Sequence, residues 1–238
     1  NGQGRFRYLE IKGHTGGHLY TGNSLEEALE NGYGAMEIRY GWQPNDPDHW
    51  TNAYGFASYG VGWYSGYIGD PDIFGNPNAL FAFINFPLSS SDKRNVFQVS
   101  PAMGLAYNLI PYDEQINPTN DAIGAEFAFY IHVGLGAEYR LTRETDLLYG
   151  VDVTHFSNGR TFTPNYGLNM FGINLGLRYL YNADQKKMDD DPYTTNLLQA
   201  RFKRPKSEKL SRLSTSQIEV FLGGGTVQNE EDRGTSTR

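Results

Sequence analysis

The sequence contains no cysteine, so the chain forms no disulfide bond and offers no thiolate to a metal ion. It also lacks any run of about 18 consecutive apolar residues, which excludes a transmembrane helix. Charged residues make up only 20% of the 238 residues, and the net charge of −7 argues against a nucleic-acid partner. A G-x-S-x-G turn, a phosphate-binding loop and a zinc signature are absent as well. Any insertion into a membrane therefore depends on strands.

Glycine and aromatic residues are abundant instead, with 28 glycines, 17 tyrosines and 14 phenylalanines. This composition is typical of a β protein with many turns. Stretches of alternating residues predict eight strands, over residues 8–20, 33–42, 53–68, 79–88, 96–109, 127–141, 146–158 and 167–181. The first connector contains a capping sequence at residues 23–27, which predicts a short helix.

The two faces of these predicted strands differ in an unusual way. Along the sixth strand, large apolar residues from Phe129 to Leu135 occupy one face, and glycines, Glu138 and Arg140 occupy the other. A face of small and charged residues suits the narrow interior of a closed barrel whose apolar face contacts lipid. Residues 1–182 are therefore predicted to form an all-β fold, an eight-stranded antiparallel transmembrane barrel of the outer-membrane type. A soluble antiparallel barrel with a filled core is the alternative.

Residues 183–238 differ in character and form a charged C-terminal extension. Segments 184–192 and 199–212 contain few large apolar residues and are interpreted as a polar linker or surface segment. Residues 216–227 predict one more strand. Because bacterial outer-membrane barrels usually have an even number of strands, we expect the chain to be a trimmed form or the extension to pack outside the barrel. The absence of a signal-like apolar segment at the N-terminus likewise predicts a mature or trimmed form.

A histidine and a serine lie two residues apart near the end of the predicted seventh strand, at His155 and Ser157. They share a face with Val151 and Val153, and their Cα atoms should lie about 6.6–7 Å apart. On the next strand, Asn169 also belongs to the apolar face. An ester hydrolase needs such a hydroxyl, a base within hydrogen-bond reach and a group that orients the base. Candidate donors to an oxyanion lie in the loop between these strands, at Asn158, Gly159 and Asn165.

Four short segments carry a resemblance to a known family: His155–Gly159, Pro164–Asn165, Gly167–Asn169 and Leu175–Leu177. Together they resemble the lipid A 3-O-deacylases, the PagL-type acyloxyacyl hydrolases. The resemblance implies a barrel in the bacterial outer membrane that hydrolyses the ester-linked acyl chain at position 3 of lipid A. It implies Ser157 as the nucleophile and His155 as the base, without a cofactor. Lipid A or lipopolysaccharide and outer-membrane lipids are the implied partners, and a homodimer is a further expectation.

One position departs from the family pattern. The resemblance implies a carboxylate as the third catalytic group, where this sequence has Asn169. An amide oxygen can still accept the imidazole N–H, as in Cys-His-Asn proteases, but it does not balance the charge of an imidazolium. Nearby acids offer no replacement, because Asp152 has the inward parity and Glu144 lies at the opposite end of the strand. The sequence thus predicts an active but slower hydrolase.

Two other functions remain open from the sequence: a non-catalytic structural or adhesive outer-membrane barrel, and a soluble lipocalin-like lipid carrier. No metal site is predicted, because His14 and His18 share a strand face but are spaced too widely for one ion. His132 has the inward parity near Glu138 and Arg140. This position predicts a hydrogen-bond network in the lumen rather than catalysis.

Overall fold

A computed structural model of the chain describes residues 5–20, 24–44, 51, 54–89, 93–142, 144–159 and 161–181. Eight antiparallel strands close into a barrel, each pairing with the next and the last with the first. The strands are β1 (Arg5–His18), β2 (Tyr33–Pro44), β3 (Ser58–Tyr67), β4 (Gly75–Pro87), β5 (Asn95–Leu109), β6 (Ala128–Arg140), β7 (Thr145–Ser157) and β8 (Leu168–Leu180). Short helices among the described connectors are α1 (Glu26–Leu29) and α2 (Pro71–Phe74). No helix in the described ranges is long and apolar enough to span a membrane.

The predicted eight-stranded antiparallel barrel is confirmed, and α1 is the short helix predicted for the first connector. It begins at Glu26, with Leu25 at its N-cap and no side-chain capping bond, so the predicted capping role of residues 23–27 is wrong. The bounds of β3 and β4 differ most from prediction, because β3 begins only at Ser58 and β4 begins already at Gly75. The C-terminal extension of residues 183–238, with the strand predicted at 216–227, lies outside the described residues.

Alternation along the strands gives the barrel an apolar outer surface. On β8, the outward residues Ile173 and Leu175 are each 61% exposed, and the outward residues of β6 and β7 are similarly exposed. A continuous apolar surface of this kind is unfavourable in water and suits contact with lipid. The prediction of transmembrane strands is confirmed, and the alternative of a soluble barrel with an apolar core is wrong.

The interior contains paired charges. Arg178 on β8 donates hydrogen bonds to Glu10 of β1 at 2.7 Å and to Glu138 of β6. Arg39 on β2 donates to Glu37 on the same strand and to Ser100 of β5 at 2.7 Å. Two of these four bonds, to Glu138 and to Ser100, join strands that are not neighbours in the sheet. The bonds to the carboxylates neutralise buried charges, and these two also connect separate parts of the barrel wall.

Interior histidines also form hydrogen bonds with polar side chains in the lumen. His14 Nδ1 lies 3.0 Å from the carboxylate of Asp152, which also accepts the hydroxyl of Tyr33 at 3.2 Å. His132 Nδ1 lies 3.0 Å from Thr154 Oγ1, so the predicted lumenal position of His132 is confirmed, with Thr154 as its partner. These contacts place hydrogen-bonded polar side chains in the lumen, whereas a lipocalin-like carrier needs an open cavity there.

The end of β5 departs from the predicted alternation. The pattern predicts Leu109 on the outside with Leu105, but Leu109 is 3% exposed whereas Leu105 is 51% exposed. The preceding residue, Asn108, has a φ of 67°, in the left-handed region. This conformation interrupts the alternation and turns Leu109 inward, where it joins the buried apolar cluster.

Four connectors meet at the end of the barrel where β7 ends, and we call this the loop end. They comprise residues 19–32, 68–74, 110–127 and 158–167. Their buried apolar side chains belong to one cluster, which includes Leu25, Leu29, Ile68, Phe74 and Ile123. Hydrogen bonds join the same segments, since Ile110 N donates to Phe74 O at 3.1 Å and the Asn117 amide donates to Ile73 O at 2.9 Å. The loop end is thus a packed structure beside the C-terminus of β7.

Ile173→Arg tests the apolar outer surface, because Ile173 lies near the middle of β8 and faces outward. We expect the charge to lower the free energy of unfolding by about 2–4 kcal/mol, since a cation near the bilayer midplane is poorly solvated. The matched control is Ile116→Arg in the 110–127 connector, where Ile116 is 85% exposed. Its effect should stay below about 0.5 kcal/mol. Urea unfolding in lipid vesicles measures both, and equal losses would contradict the assigned membrane surface.

Candidate active site

The imidazole of His155 lies on the outer face of β7, directly opposite Asn169 of β8. Its Nδ1 atom lies 2.7 Å from the side-chain Oδ1 of Asn169. Because an amide oxygen can only accept, Nδ1 carries the hydrogen and Nε2 keeps its lone pair. This is the tautomer that a general base requires.

The hydroxyl of Ser157 lies on the same face, two residues beyond His155 and at the end of β7. Its Oγ accepts hydrogen bonds from the Asn165 side-chain amide at 3.1 Å and from Gly159 N at 3.2 Å. Among the described side chains, no hydrogen bond joins Ser157 to His155. Catalytic hydrogen bonds often tighten only when substrate is bound.

The loop after Ser157 is held in shape by Asn158, whose side chain is buried. Its backbone N–H donates to Asn165 Oδ1 at 3.1 Å, and its side-chain amide donates to Phe162 O at 3.1 Å. The first of these bonds fixes the amide of Asn165 so that its Nδ2 faces Ser157. Of the three candidate oxyanion donors, Asn165 and Gly159 therefore reach the serine hydroxyl, whereas the Asn158 side chain points into the loop.

Comparison with known proteins identifies the family of this chain. A family model described as lipid A 3-O-deacylase (PagL) matches residues 14–178, well over half of the chain. The chain belongs to this family. A search of curated proteins found no match.

Solved structures similar to this member of the deacylase family include the crystal structure of the outer-membrane enzyme PagL, with 13% identity and a TM-score of 0.47 over 72% of this chain and 99% of that one. Neisserial surface protein A shows 11% identity and a TM-score of 0.47, with 75% and 100% covered. The solution structure of outer membrane protein H from P. aeruginosa shows 13% identity and a TM-score of 0.47, with 74% and 99% covered.

Family membership confirms the resemblance carried by the segments around His155 and Ser157. The protein is an outer-membrane barrel, as predicted, and its apolar outer surface agrees with that location. His155, Ser157 and Asn169 all lie on the outer side of the wall rather than in the lumen. Any chemistry at these residues would therefore take place on the lipid-facing side of the barrel.

In the part of the chain that the structure describes, no nearby acid takes the place of Asn169. Asp152 is 3% exposed and lies in the lumen, where it contacts His14. Glu144 lies in the turn between β6 and β7, at the opposite end of the barrel. Both positions agree with the sequence analysis. The hydrogen-bond partner of His155 in this structure is therefore a neutral amide.

Neither of the histidines considered as metal ligands is part of this site. His18 Nε2 lies 3.2 Å from the carbonyl oxygen of Gly32, whereas His14 contacts Asp152 in the lumen. In the described ranges, no group of three or more His, Cys, Asp or Glu side chains is arranged to hold a metal ion. The two histidines have separate contacts with the barrel and the first connector.

Gly167, in the loop between β7 and β8, packs against the imidazole of His155. A Cβ atom at this position would lie 2.8 Å from His155 Cε1 and 3.0 Å from Phe156 O. Its φ of 75° is also in the left-handed region, which favours glycine. The contact of Gly167 with the imidazole depends on how the loop folds. The sequence therefore gave no sign of it beyond the position of Gly167 in the family motif.

Gly167→Ala should therefore displace the imidazole of His155. Both the added methyl group and the strained backbone conformation act here, so we expect a loss of about 1–2 kcal/mol of stability together with shifted ring resonances of His155 in NMR spectra. Gly55→Ala is the matched control, because Gly55 has a similar φ of 63° but an added methyl group there would meet only Pro87, at 3.5 Å. It should lose similar stability and leave the ring resonances unchanged. Unchanged His155 resonances in Gly167→Ala would refute the contact.

Proposed function

We propose that this protein hydrolyses the ester-linked acyl chain at position 3 of lipid A, with Ser157 as nucleophile and His155 as general base. The observation that carries the proposal is the 2.7 Å hydrogen bond from His155 Nδ1 to Asn169. It leaves the Nε2 lone pair free on the face that also presents the Ser157 hydroxyl. Family membership independently supports an ester hydrolase that acts on lipid A.

The proposed reaction proceeds in two steps. His155 Nε2 takes the proton of the Ser157 hydroxyl as Oγ attacks the ester carbonyl carbon, and a tetrahedral oxyanion forms. The oxyanion collapses, the sugar oxygen leaves with the proton from His155, and the acyl chain remains bonded to Ser157. A water molecule, deprotonated by His155, then releases the fatty acid and restores the serine.

Oxyanion stabilisation is assigned to Asn165 Nδ2 and Gly159 N. Both donate to Ser157 Oγ, at 3.1 and 3.2 Å, so both lie within reach of an oxygen bonded to the attacked carbon. We assign Asn158 the task of holding Asn165, because its backbone N–H donates to Asn165 Oδ1 at 3.1 Å while its side chain is anchored to Phe162 O. A preorganised donor of this type typically contributes about 10²–10³-fold to kcat.

The position of the site matches a substrate that stays in the membrane. An apolar groove of about 770 Å³ lies on the outer wall beside the site, lined by Val133, Val151, Val153, Phe171 and Ile173 among others. Val153 and Phe171 pair with each other two residues from His155 and Asn169. The groove can hold an acyl chain while its ester reaches Ser157. With a periplasmic N-terminus, the loop end faces outward, toward the leaflet that contains lipopolysaccharide.

In the proposed mechanism, Asn169 orients the imidazole of His155 but carries no charge. Its Oδ1 holds the ring in the productive tautomer, but a neutral amide stabilises the imidazolium less than a carboxylate does. This substitution is the observation that favours the second candidate function, a non-catalytic outer-membrane barrel. Loss of the acid alone does not remove the nucleophile, the base or the oxyanion donors, so hydrolysis remains the better-supported function. Homodimer formation stays a prediction.

Ser157→Ala and His155→Ala should each abolish deacylation, by at least about 10³-fold, because the nucleophile and base act as a unit. Mass spectrometry of lipid A from cells with and without each variant measures loss of the 3-linked acyl chain. Ser65→Ala, on the outer face of β3, is the matched control and should retain full activity. Gel mobility with and without heating checks that each barrel folds. A fully active Ser157→Ala variant would end the proposal.

Two substitutions of Asn169 distinguish orientation of the imidazole from stabilisation of its positive charge. Asn169→Ala should lower kcat by about 100-fold, because the imidazole loses the acceptor that fixes its tautomer. Asn169→Glu should raise kcat above that of the natural protein, because a carboxylate also balances the imidazolium charge. Initial rates of fatty-acid release from purified lipid A in detergent give both values. If neither variant differs from the parent, Asn169 takes no part in the reaction.

A further inference from the structure

The loop that carries Asn165 and Gly167 rests on the connector between β5 and β6. Tyr166 N donates to Asp121 O at 3.2 Å, and Gly167 N donates to Ala122 O at 2.9 Å. Gly167 in turn packs against His155, where its position leaves no room for a Cβ atom. A displacement of Asp121 and Ala122 would therefore move the backbone that contacts the proposed base.

The side chain of Asp121 is bound by a residue from a third segment. The hydroxyl of Tyr20 donates to both carboxylate oxygens of Asp121, at 3.0 and 2.8 Å. Burial, together with the neighbouring carboxylate, raises the pKa of Tyr20 to about 12, so the hydroxyl remains a donor at neutral pH. The residue before it, Leu19, donates its N–H to Asn169 O at 2.8 Å. Tyr20 thus connects the backbone beside Asn169 to the backbone that supports Gly167.

Asn120 stabilises the rest of this connector through hydrogen bonds that do not involve Tyr20. It is fully buried, and its Oδ1 accepts from Ala122 N at 3.2 Å and Ile123 N at 3.1 Å. Its Nδ2 donates to Ile110 O at 2.8 Å and Ile73 O at 3.2 Å. Since Asn120 maintains the turn, loss of the Tyr20 hydroxyl should shift the connector slightly rather than unfold it.

We propose that Tyr20 and Asp121 are positioning residues of the deacylase: their hydrogen bond sets the place of the 165–167 backbone and, through it, of His155. The inference rests on the proposed function. The four segments form a closed cycle, from β1 to the 110–127 connector, to the 158–167 loop, to β8 and back to β1. In a closed cycle each hydrogen bond restrains the others. Neither Tyr20 nor Asp121 is a catalytic residue.

Small displacements of a base have large effects on rate, because proton transfer requires alignment within a few tenths of an ångström. The bond between Tyr20 and Asp121 should therefore act on kcat and leave KM nearly unchanged, since neither residue borders the apolar groove. A residue that only stabilised the barrel would lower the amount of folded protein and leave the kcat of the folded fraction unchanged. This difference separates a positioning role from a structural one.

The test compares Tyr20→Phe, Asp121→Ala and Asp121→Asn in the full chain, with purified lipid A as substrate. Tyr20→Phe and Asp121→Ala should each lower kcat by about tenfold with KM within about twofold. Asp121→Asn keeps an oxygen that accepts from Tyr20 and should recover most of the rate. The double variant should be no slower than the slower single variant, because both changes break one bond. Shifted NMR resonances of the His155 ring should accompany the slow variants.

Tyr149→Phe is the matched control. This substitution also removes a tyrosine hydroxyl that takes part in a hydrogen bond, here with the Asn95 side chain at 2.9 Å, and the bond lies far from the loop end. It should leave kcat and the His155 resonances unchanged. If Ser157→Ala abolishes hydrolysis while Tyr20→Phe retains the full kcat, the positioning role is wrong and the proposed function stands. If Ser157→Ala itself retains activity, the proposed function fails. A loss in Asp121→Asn equal to that in Asp121→Ala would also overturn the positioning role.

Discussion

Closure of the sheet by the pairing of β1 with β8 is the constraint on which this structure depends. Backbone N–H and C=O groups find no water in the hydrocarbon part of a membrane, so an open sheet edge there is strongly unfavourable. Hydrogen bonds from Tyr8 opposite Leu180 to His18 opposite Met170 remove both edges at once. Closure also brings the start of the chain beside β8. For this reason the first connector can contact residues of the proposed active site.

A closed barrel in lipid reverses the usual distribution of polarity. The outer surface is apolar because it replaces contact with water by contact with lipid, and the lumen combines charged pairs with buried aromatic side chains such as Tyr64, Tyr130 and Phe156. Arg39 and Arg178 are buried there with carboxylate partners, since an unpaired charge in such a lumen would be very costly. The charged pairs thus stay inside the barrel, whereas His155 and Asn169 lie on the outer face of β7 and β8.

The proposed active site combines residues on two paired strands with residues of the loop that joins them. Register in the sheet places His155 opposite Asn169, and the two residues cannot shift along their strands relative to each other without breaking the ladder. The oxyanion donors and the wall against the imidazole come from the loop between β7 and β8, which gains its shape from internal hydrogen bonds and from the 110–127 connector. Precise geometry in a loop of this kind requires support from neighbouring segments, which the packed loop end provides.

Strand alternation was predictable from the sequence, because side chains on successive residues of a strand must point to opposite faces. The outward position of His155 and Ser157, the lumenal position of Asp152 and the eight-stranded barrel all follow from that period of two. The inward turn of Leu109 did not follow, because it depends on the left-handed conformation of Asn108. Local conformations of this kind leave no periodic signal in the sequence.

Tertiary structure alone decided the contacts between connectors. The contact of Gly167 with His155, the bonds of Asn165 to Ser157 and the bond of Tyr20 to Asp121 join segments that no pattern relates. Each depends on the path of a loop, and a loop takes its path from the elements packed around it rather than from its own residues. By itself, then, the sequence determined which side of the wall most strand residues occupy, with Leu109 as an exception, and the family to which the motif belongs. The folded loop end decided how the base, the hydroxyl and the donors are held, because only closure of the barrel brings those connectors together.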